Sequence, residues 1–203
     1  MPIAPQQQRG RDTRAALLQA GRCAFEELGW EATTVRAITS RAGTATGTFY
    51  RYFPDSDALL FELATARYAR LRAGLRLGVE PDPDEPAGRA ERIAARVRAN
   101  FAWVLAYHTE SARLHSIIEQ RRPFDPRLDA LGRAVDGAIV ADTVGLLRSW
   151  GASDAEAPEV AFVMLSLFES CAAQLAAGVP FAPDVVASVC VDMVTRHLLG
   201  SPP

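Results

Sequence analysis

Apolar residues recur along this chain at three- and four-residue steps, and nothing alternates with period two over a useful length. The pattern predicts an all-α protein of about nine helices. Leu17, Ala20, Ala24, Phe25 and Leu28 form the first stripe, with Asp12 placed to cap it and Gly29 to end it. Val35, Ile38 and Ala42 form a short second stripe stopped by Gly43. Phe49 and Phe53 share one face of a third short helix that Pro54 ends. Asp55 can then cap a longer helix, with Leu59, Leu60, Leu63 and Tyr68 as its stripe, running to about Leu77.

Between Gly78 and Gly88, three prolines and four acidic residues predict a solvated loop. Only helical stripes follow it. Ile93, Val97, Phe101, Val104 and Leu105 make one, Leu114, Ile117 and Ile118 a second, and Leu128 to Leu146 a long third ending near Gly151. Ser153 and Glu156 have the spacing of a capping box. The helix after them, Val160 to Ala177, is apolar nearly all round and is expected to be buried on most sides. Pro183 suits the first turn of a last helix reaching about Leu199.

Composition narrows the chemistry. The 203 residues carry a net charge of −2, so global basicity is not how the chain finds a partner. All 22 cations are arginine, which removes Schiff-base and P-loop chemistry that needs lysine. Cys23, Cys171 and Cys190 are odd in number and far apart, and read as small core residues rather than a disulfide framework or zinc knuckle. No stretch reads as a signal peptide or membrane span, so the expected location is the cytoplasm. No nucleophile, acid–base or phosphate-cradling signature is present, and neither catalysis nor a cofactor is expected.

Two short helices joined by a glycine-containing turn have the form of a helix-turn-helix. With Phe49 and Phe53 facing a small core, Thr46, Gly47, Thr48, Tyr50 and Arg51 are left for another surface. Arginine grips phosphate or reads guanine, threonine and tyrosine hydroxyls bond phosphate oxygens, and glycine lets backbone approach a strand closely. Charge agrees locally: Arg9 to Phe53 holds seven arginines against four acids, a net +3.

The stretch Thr33-Thr34-Val35-Arg36-Ala37-Ile38, followed by Ala42 through Leu59, resembles the DNA-binding domain of TetR-family regulators over roughly residues 10–60. The resemblance implies an N-terminal three-helix helix-turn-helix domain joined to a C-terminal helical ligand-binding and dimerisation domain. The expected division is an arm at 1–10, the DNA-binding domain at 11–54 and the helical domain at 55–203. It further implies a ligand-responsive regulator, a repressor by preference, that binds a near-palindromic operator in double-stranded DNA as a homodimer through its last two helices. A small-molecule effector releases it. By the match, Thr34, Arg36, Thr44, Thr46, Gly47, Thr48, Tyr50, Arg51 and Tyr52 take the DNA-contact roles.

Two positions depart from the family pattern. Many members carry lysine where Thr46 and Ser56 stand, and here Asp55 and Asp57 flank the second. Arg9, Arg11 and Arg14 are the cations that can compensate. Ala45 occupies a position often held by a capping serine, which leaves Thr44 or Thr46 to cap the third helix. The missing lysines and added acids favour a second reading, a helical small-molecule-binding or interaction protein whose DNA binding has weakened.

In the C-terminal half, Phe101, Trp103, Tyr107, Phe162 and Phe168 can line an apolar cavity or fill a core, and spacing does not separate the two. The cavity reading implies a largely apolar ligand. His108, His115 and Glu119 would share a face on one unbroken helix, as metal ligands do, but Thr109 and Ser111 read as a helix start between the histidines. His108 and His115 are therefore read as pocket-lining groups, with no metal expected. Glu169, in the most apolar helix, must reach solvent, an arginine or a ligand.

Overall fold

A computed structural model describes residues 5–78 and 88–200. Among them are nine α-helices and one 3₁₀ turn, with no strand. The helices are α1 (Pro5–Leu28), α2 (Val35–Arg41), α3 (Thr46–Phe49), α4 (Ser56–Gly74), α5 (Arg89–Glu110), α6 (Ala112–Arg121), α7 (Pro126–Ser149), α8 (Ala157–Ala176) and α9 (Pro183–Leu199), with the 3₁₀ turn at Arg122–Phe124. Most of the acidic, proline-rich loop expected after Gly78 falls on 79–87, outside the described residues.

The chain forms two compact units. The first takes residues up to Tyr68 together with Arg113–Gly132; the second takes Ala69–Ala112 and residues from Arg133 onward. The N-terminal unit thus includes the first half of α4 and recruits α6 from elsewhere in the sequence.

In the first unit the apolar stripes meet as their periodicity dictates. Leu17, Phe25, Ile38, Phe49, Phe53, Leu59 and Leu60 are all essentially excluded from solvent. Each such side chain contributes about 1.5–3 kcal/mol of burial. Gly21 allows α1 and α4 to approach closely, because a Cβ there would stand 2.6 Å from Leu59 Cδ2. Gly29 (φ +81°) and Gly43 (φ +65°) end α1 and α2 in the left-handed region, where only glycine is comfortable.

Local details depart from the sequence expectation in three places. α1 begins at Pro5, so Arg9 and Gly10 are helical, and Asp12 lies inside the helix accepting a bond from Gln8 Nε2 (2.8 Å) rather than capping it. Thr34, expected only as a DNA contact, caps α2: its hydroxyl accepts from Ala37 N at 3.1 Å. Ala45 stands at the N-cap of α3, where no side chain bonds the helix, so neither Thr44 nor Thr46 takes that role. At four residues, α3 is too short to depend on a cap and is held by the burial of Phe49.

In the second unit α5, α8 and α9 pack together around Ile93, Val97, Phe101, Ala161, Met164, Phe168, Cys190 and Val191, closed by Leu146, Leu147 and Trp150 of the α7 end. Ser153 and Glu156 bond each other as a capping pair: Glu156 N donates to Ser153 Oγ at 3.2 Å, and that hydroxyl donates to the carboxylate at 2.7 Å. These bonds hold the Glu156 carboxyl below its ordinary range.

α8 is not buried on most sides as its composition suggests. Phe162 is 69% exposed and Val163 50%, and on α9 Val185, Val189 and Met193 are exposed as well. By length and composition alone α8 is apolar enough to cross a membrane, a property the sequence reading did not assign to it. Its Ala157, Ala161, Met164, Phe168 and Ala172 are nonetheless buried against the neighbouring helices.

Candidate nucleic-acid interface

Helix α3 presents two chemically different faces because a helix turns by about 100° per residue. Phe49 is fully buried, with its ring 5.5 Å from that of Phe53, which is buried as well. The residues between and before them face outward: Thr46, Gly47, Tyr50 and Arg51 are exposed and Thr48 is half-buried. Nothing lies within 4 Å of where a Gly47 Cβ would stand, so its backbone is open to a close approach. Tyr50 is 57% exposed yet held in place, its ring set edge-on to Phe49 at 5.5 Å.

The flanking residues fix the position of this face. Thr39, buried on α2, donates its hydroxyl to Val35 O (3.0 Å), and its oxygen lies 3.5 Å from the Thr46 hydroxyl, joining α2 to α3. Arg41 at the end of α2 pairs with Glu27 on α1. Tyr52 is half-buried, and its hydroxyl lies against α1 at Gly10, 3.7 Å from the position of a Gly10 Cβ. Thr44 is half-buried in the turn, while Thr34 and Arg36 are exposed at the start of α2.

Of the three compensating arginines, Arg9 and Arg11 are exposed on the first turns of α1. Arg14 is engaged within the unit: it pairs with Glu62 on α4, and its guanidinium lies 5.4 Å from the Phe53 ring centroid. The acidic run after α3 is engaged too. Asp55 Oδ1 accepts from Ala58 N at 2.7 Å as the cap of α4, and Asp57 Oδ1 accepts from Arg121 at 3.0 Å. Sequence spacing gave no sign of this last partner, which arrives from α6, 64 residues along the chain.

The candidate ligand groups divide between core and pocket chemistry. Phe101 and Phe168 meet edge-to-face at 5.5 Å and fill the core of the second unit. Trp103 packs on the end of α4: its Nε1–H donates to Leu71 O (3.0 Å), its ring occupies the space a Gly74 Cβ would need, and Arg70 sits over it at 5.8 Å. Tyr107 is buried with its ring edge-on to His108. His108 is itself buried, with Nε2 3.1 Å from Glu169 Oε1, and the Glu169 side chain is 59% exposed. The carboxylate in the apolar helix thus reaches both solvent and a histidine. Ser111 separates α5 from α6, so the helix does break between His108 and His115; His115 lies half-buried on α6, in the first unit.

Comparison with known proteins places this architecture. Residues 17–63 match the family model described as bacterial regulatory proteins, tetR family. Over 87 residues the chain is 30% identical to the HTH-type transcriptional repressor KstR of Rhodococcus jostii, a match covering 43% of this chain and 40% of that protein. The KstR repressor of Mycobacterium tuberculosis is 36% identical over 63 residues, 31% of this chain and 29% of that protein. The chain therefore matches less than half the length of these curated relatives. Among solved structures, a transcriptional regulator from Rhodococcus sp. RHA1 superposes with a TM-score of 0.73 at 19% identity, over 94% of this chain and 99% of that one. The TetR-family regulator PfmR of Thermus thermophilus gives 0.66 at 18% identity, over 89% and 97%. At these identities the superpositions establish the fold.

Proposed function

We propose that this chain, whose residues 17–63 match the tetR family of bacterial regulatory proteins, is a ligand-responsive repressor acting on operator DNA as a homodimer in the cytoplasm. The observation that carries the proposal is the two-faced α3. Phe49 and Phe53 are buried, while Thr46, Gly47, Tyr50 and Arg51 stand exposed on a segment that packing holds rigid. A rigid polar-aromatic helix preceded by a glycine turn suits insertion into a major groove, with hydroxyls and guanidinium reaching phosphates and base edges. Repression in particular is favoured by the similarity to the two KstR repressors.

The second reading, weakened DNA binding, rests on the lysines missing at Thr46 and Ser56 and on the acids at Asp55 and Asp57. One caps a helix and the other is paired, so they weigh less against phosphate binding than the sequence alone suggests. Dimerisation is supported by the exposed apolar residues Phe162, Val163, Val185, Val189 and Met193 on α8 and α9. Val163 and Met193 line a groove of about 300 Å³ together with Val160, Met164, Leu167 and Val194. An effector site is supported by Tyr107, His108 and Glu169, two buried polar aromatics beside a carboxylate that lies 3.1 Å from His108 Nε2.

Two recognition helices about 34–36 Å apart fit successive major grooves. An effector that binds a form with a different spacing more tightly shifts the population away from DNA. A coupling of about 1–3 kcal/mol changes the operator affinity roughly 5- to 150-fold. Fluorescence anisotropy with the duplex flanking the protein's own gene, against a scrambled duplex at two salt concentrations, tests the reading. Selective binding supports it; equal weak binding to both duplexes sides with the weakened-DNA-binding alternative.

A further inference from the structure

The segment that carries the recognition helix runs from Trp30, just after α1, to Asp57, in the first turn of α4. A side chain from outside that segment touches both of its ends. Arg121, the last residue of α6, donates Nη2–H to Asp57 Oδ1 at 3.0 Å. Its guanidinium carbon lies 4.6 Å from the Trp30 ring centroid and 5.6 Å from that of Phe124. The rings and the half-buried setting of both partners, 27% exposed for Arg121 and 37% for Asp57, shield the pair from water and salt more than an open surface pair. Nearby contacts secure the same helix: Arg113 donates to Glu27 O at the end of α1 (2.9 Å), and Tyr68 donates its hydroxyl to Glu119 at 2.9 Å.

We propose that Arg121 is a positioning residue for DNA binding, acting through Asp57. It fixes the entry and exit of the helix-turn-helix and cancels the acid that follows the recognition helix, where phosphates approach. The inference rests on the DNA-binding reading above. It also accounts for how the chain does without a lysine at Ser56: the offsetting charge comes from α6 instead of from the local sequence.

The test is a double-mutant cycle in the full-length protein, with Arg121→Met, Asp57→Asn and the double variant. Affinity is read by anisotropy on the duplex flanking the protein's own gene and on a scrambled duplex, at low and high salt. Methionine keeps apolar volume between Trp30 and Phe124 while removing the charge. Arg121→Met is expected to weaken binding about three- to tenfold at low salt and less at high salt, as exposure of one uncompensated carboxylate near phosphate requires. Adding Asp57→Asn is expected to restore at least half of that loss on a logarithmic scale. Arg121→Lys, which keeps a cation in the slot, is expected to stay within about twofold of wild type, and it keeps the test usable should the methionine variant unfold.

An equal loss from Arg121→Met with and without Asp57, or a lysine variant as weak as the methionine one, overturns the proposal and leaves the DNA-binding reading intact. Failure of the wild-type protein to bind either duplex overturns that reading itself, and this inference with it.

Discussion

Neighbouring residues at and just beyond the C-terminal end of α3 should separate DNA binding from stability. Tyr50 is 57% exposed and touches the core only through its ring edge on Phe49, so Tyr50→Ala should cost at most about 0.5–1.5 kcal/mol of folding stability. Arg51 is exposed, and its truncation should cost less than about 0.5 kcal/mol. Phe49→Ala, one position away and fully buried, should cost about 3–5 kcal/mol. That is a large share of the roughly 5–15 kcal/mol that holds a domain together. For binding the order reverses. A hydrogen bond to a charged group contributes about 1.5–3 kcal/mol. Lost from both half-sites of a dimer, it lowers affinity by roughly 10²- to 10⁴-fold. Removing Arg51 from both subunits should also flatten the dependence of log affinity on log salt by about 1.8. Anisotropy titrations paired with thermal melts by circular dichroism read both quantities. Wild-type affinity in the Tyr50→Ala/Arg51→Ala protein would refute the assignment of α3 as the recognition helix, and so would a lost melting transition accompanying lost binding.

Four further outcomes follow from the packing and charge. Gly21→Ala gains up to about 1 kcal/mol of helix propensity but forces a Cβ to 2.6 Å from fully buried Leu59. Overpacking of this kind costs about 1–3 kcal/mol, so the melting temperature should fall; a rise would contradict the close α1–α4 contact. Asp125 accepts from Arg127 Nη2 (2.9 Å) and from Arg127 N (2.9 Å) at the start of α7, and the Arg127 side-chain bond is the main reason its carboxyl lies below the ordinary range. Its folded value is lower than its unfolded one, so its stabilisation is present above the unfolded range near pH 4 and fades as pH falls through the folded value. Asp125→Asn should therefore destabilise at pH 7 and converge with wild type in strong acid, as followed by urea unfolding; a constant gap across pH would contradict the ionic account. Phe162→Asp with Val189→Asp should yield a folded monomer by sedimentation velocity, and a persisting dimer would place the interface elsewhere. Arg9→Ala with Arg11→Ala should weaken all duplexes alike and reduce the salt slope by roughly 3.6 for four lost phosphate contacts; a loss confined to one sequence would give these residues a different role.

Helix boundaries were legible wherever a residue type forces the backbone. Gly29, Gly43 and Gly151 end helices with positive φ, and Asp55 caps α4 as its position suggests. Boundaries set by tertiary contact were not legible. Asp12 has the chemistry of a cap and sits mid-helix, since nothing in the local pattern forbids α1 from extending back to Pro5. The exposed side of α8 was misread for a related reason. Hydrophobicity reports that a face avoids water but not whether the cover comes from the same chain, and the described residues leave Phe162 largely uncovered. Among the ligand candidates, spacing could not distinguish Phe101 and Phe168, which fill the core, from His108 and Glu169, which put polar atoms 3.1 Å apart.

The charge departures show why local sequence is a poor guide to the electrostatics of this domain. Read in order, the chain carries Thr46 and Ser56 where the resemblance to TetR-family regulators implies lysine and surrounds the second with acids, a change of sign beside the proposed recognition helix. In space each acid has other work. Asp55 satisfies an N–H at the start of α4, where the helix dipole also favours a carboxylate, and Asp57 is held by Arg121. Arg14, which the sequence offers as a phosphate ligand, is occupied by Glu62, whereas Arg9 and Arg11 are exposed on α1 itself. A guanidinium carried on a formed helix loses less backbone entropy on meeting phosphate than one on a flexible arm. Two ordered arginines can therefore offset cations lost elsewhere. On the proposed DNA-binding reading, the domain's phosphate affinity depends on which charges remain unpaired after folding, and the Arg121–Asp57 bond brings α6 into that balance beside the helix-turn-helix.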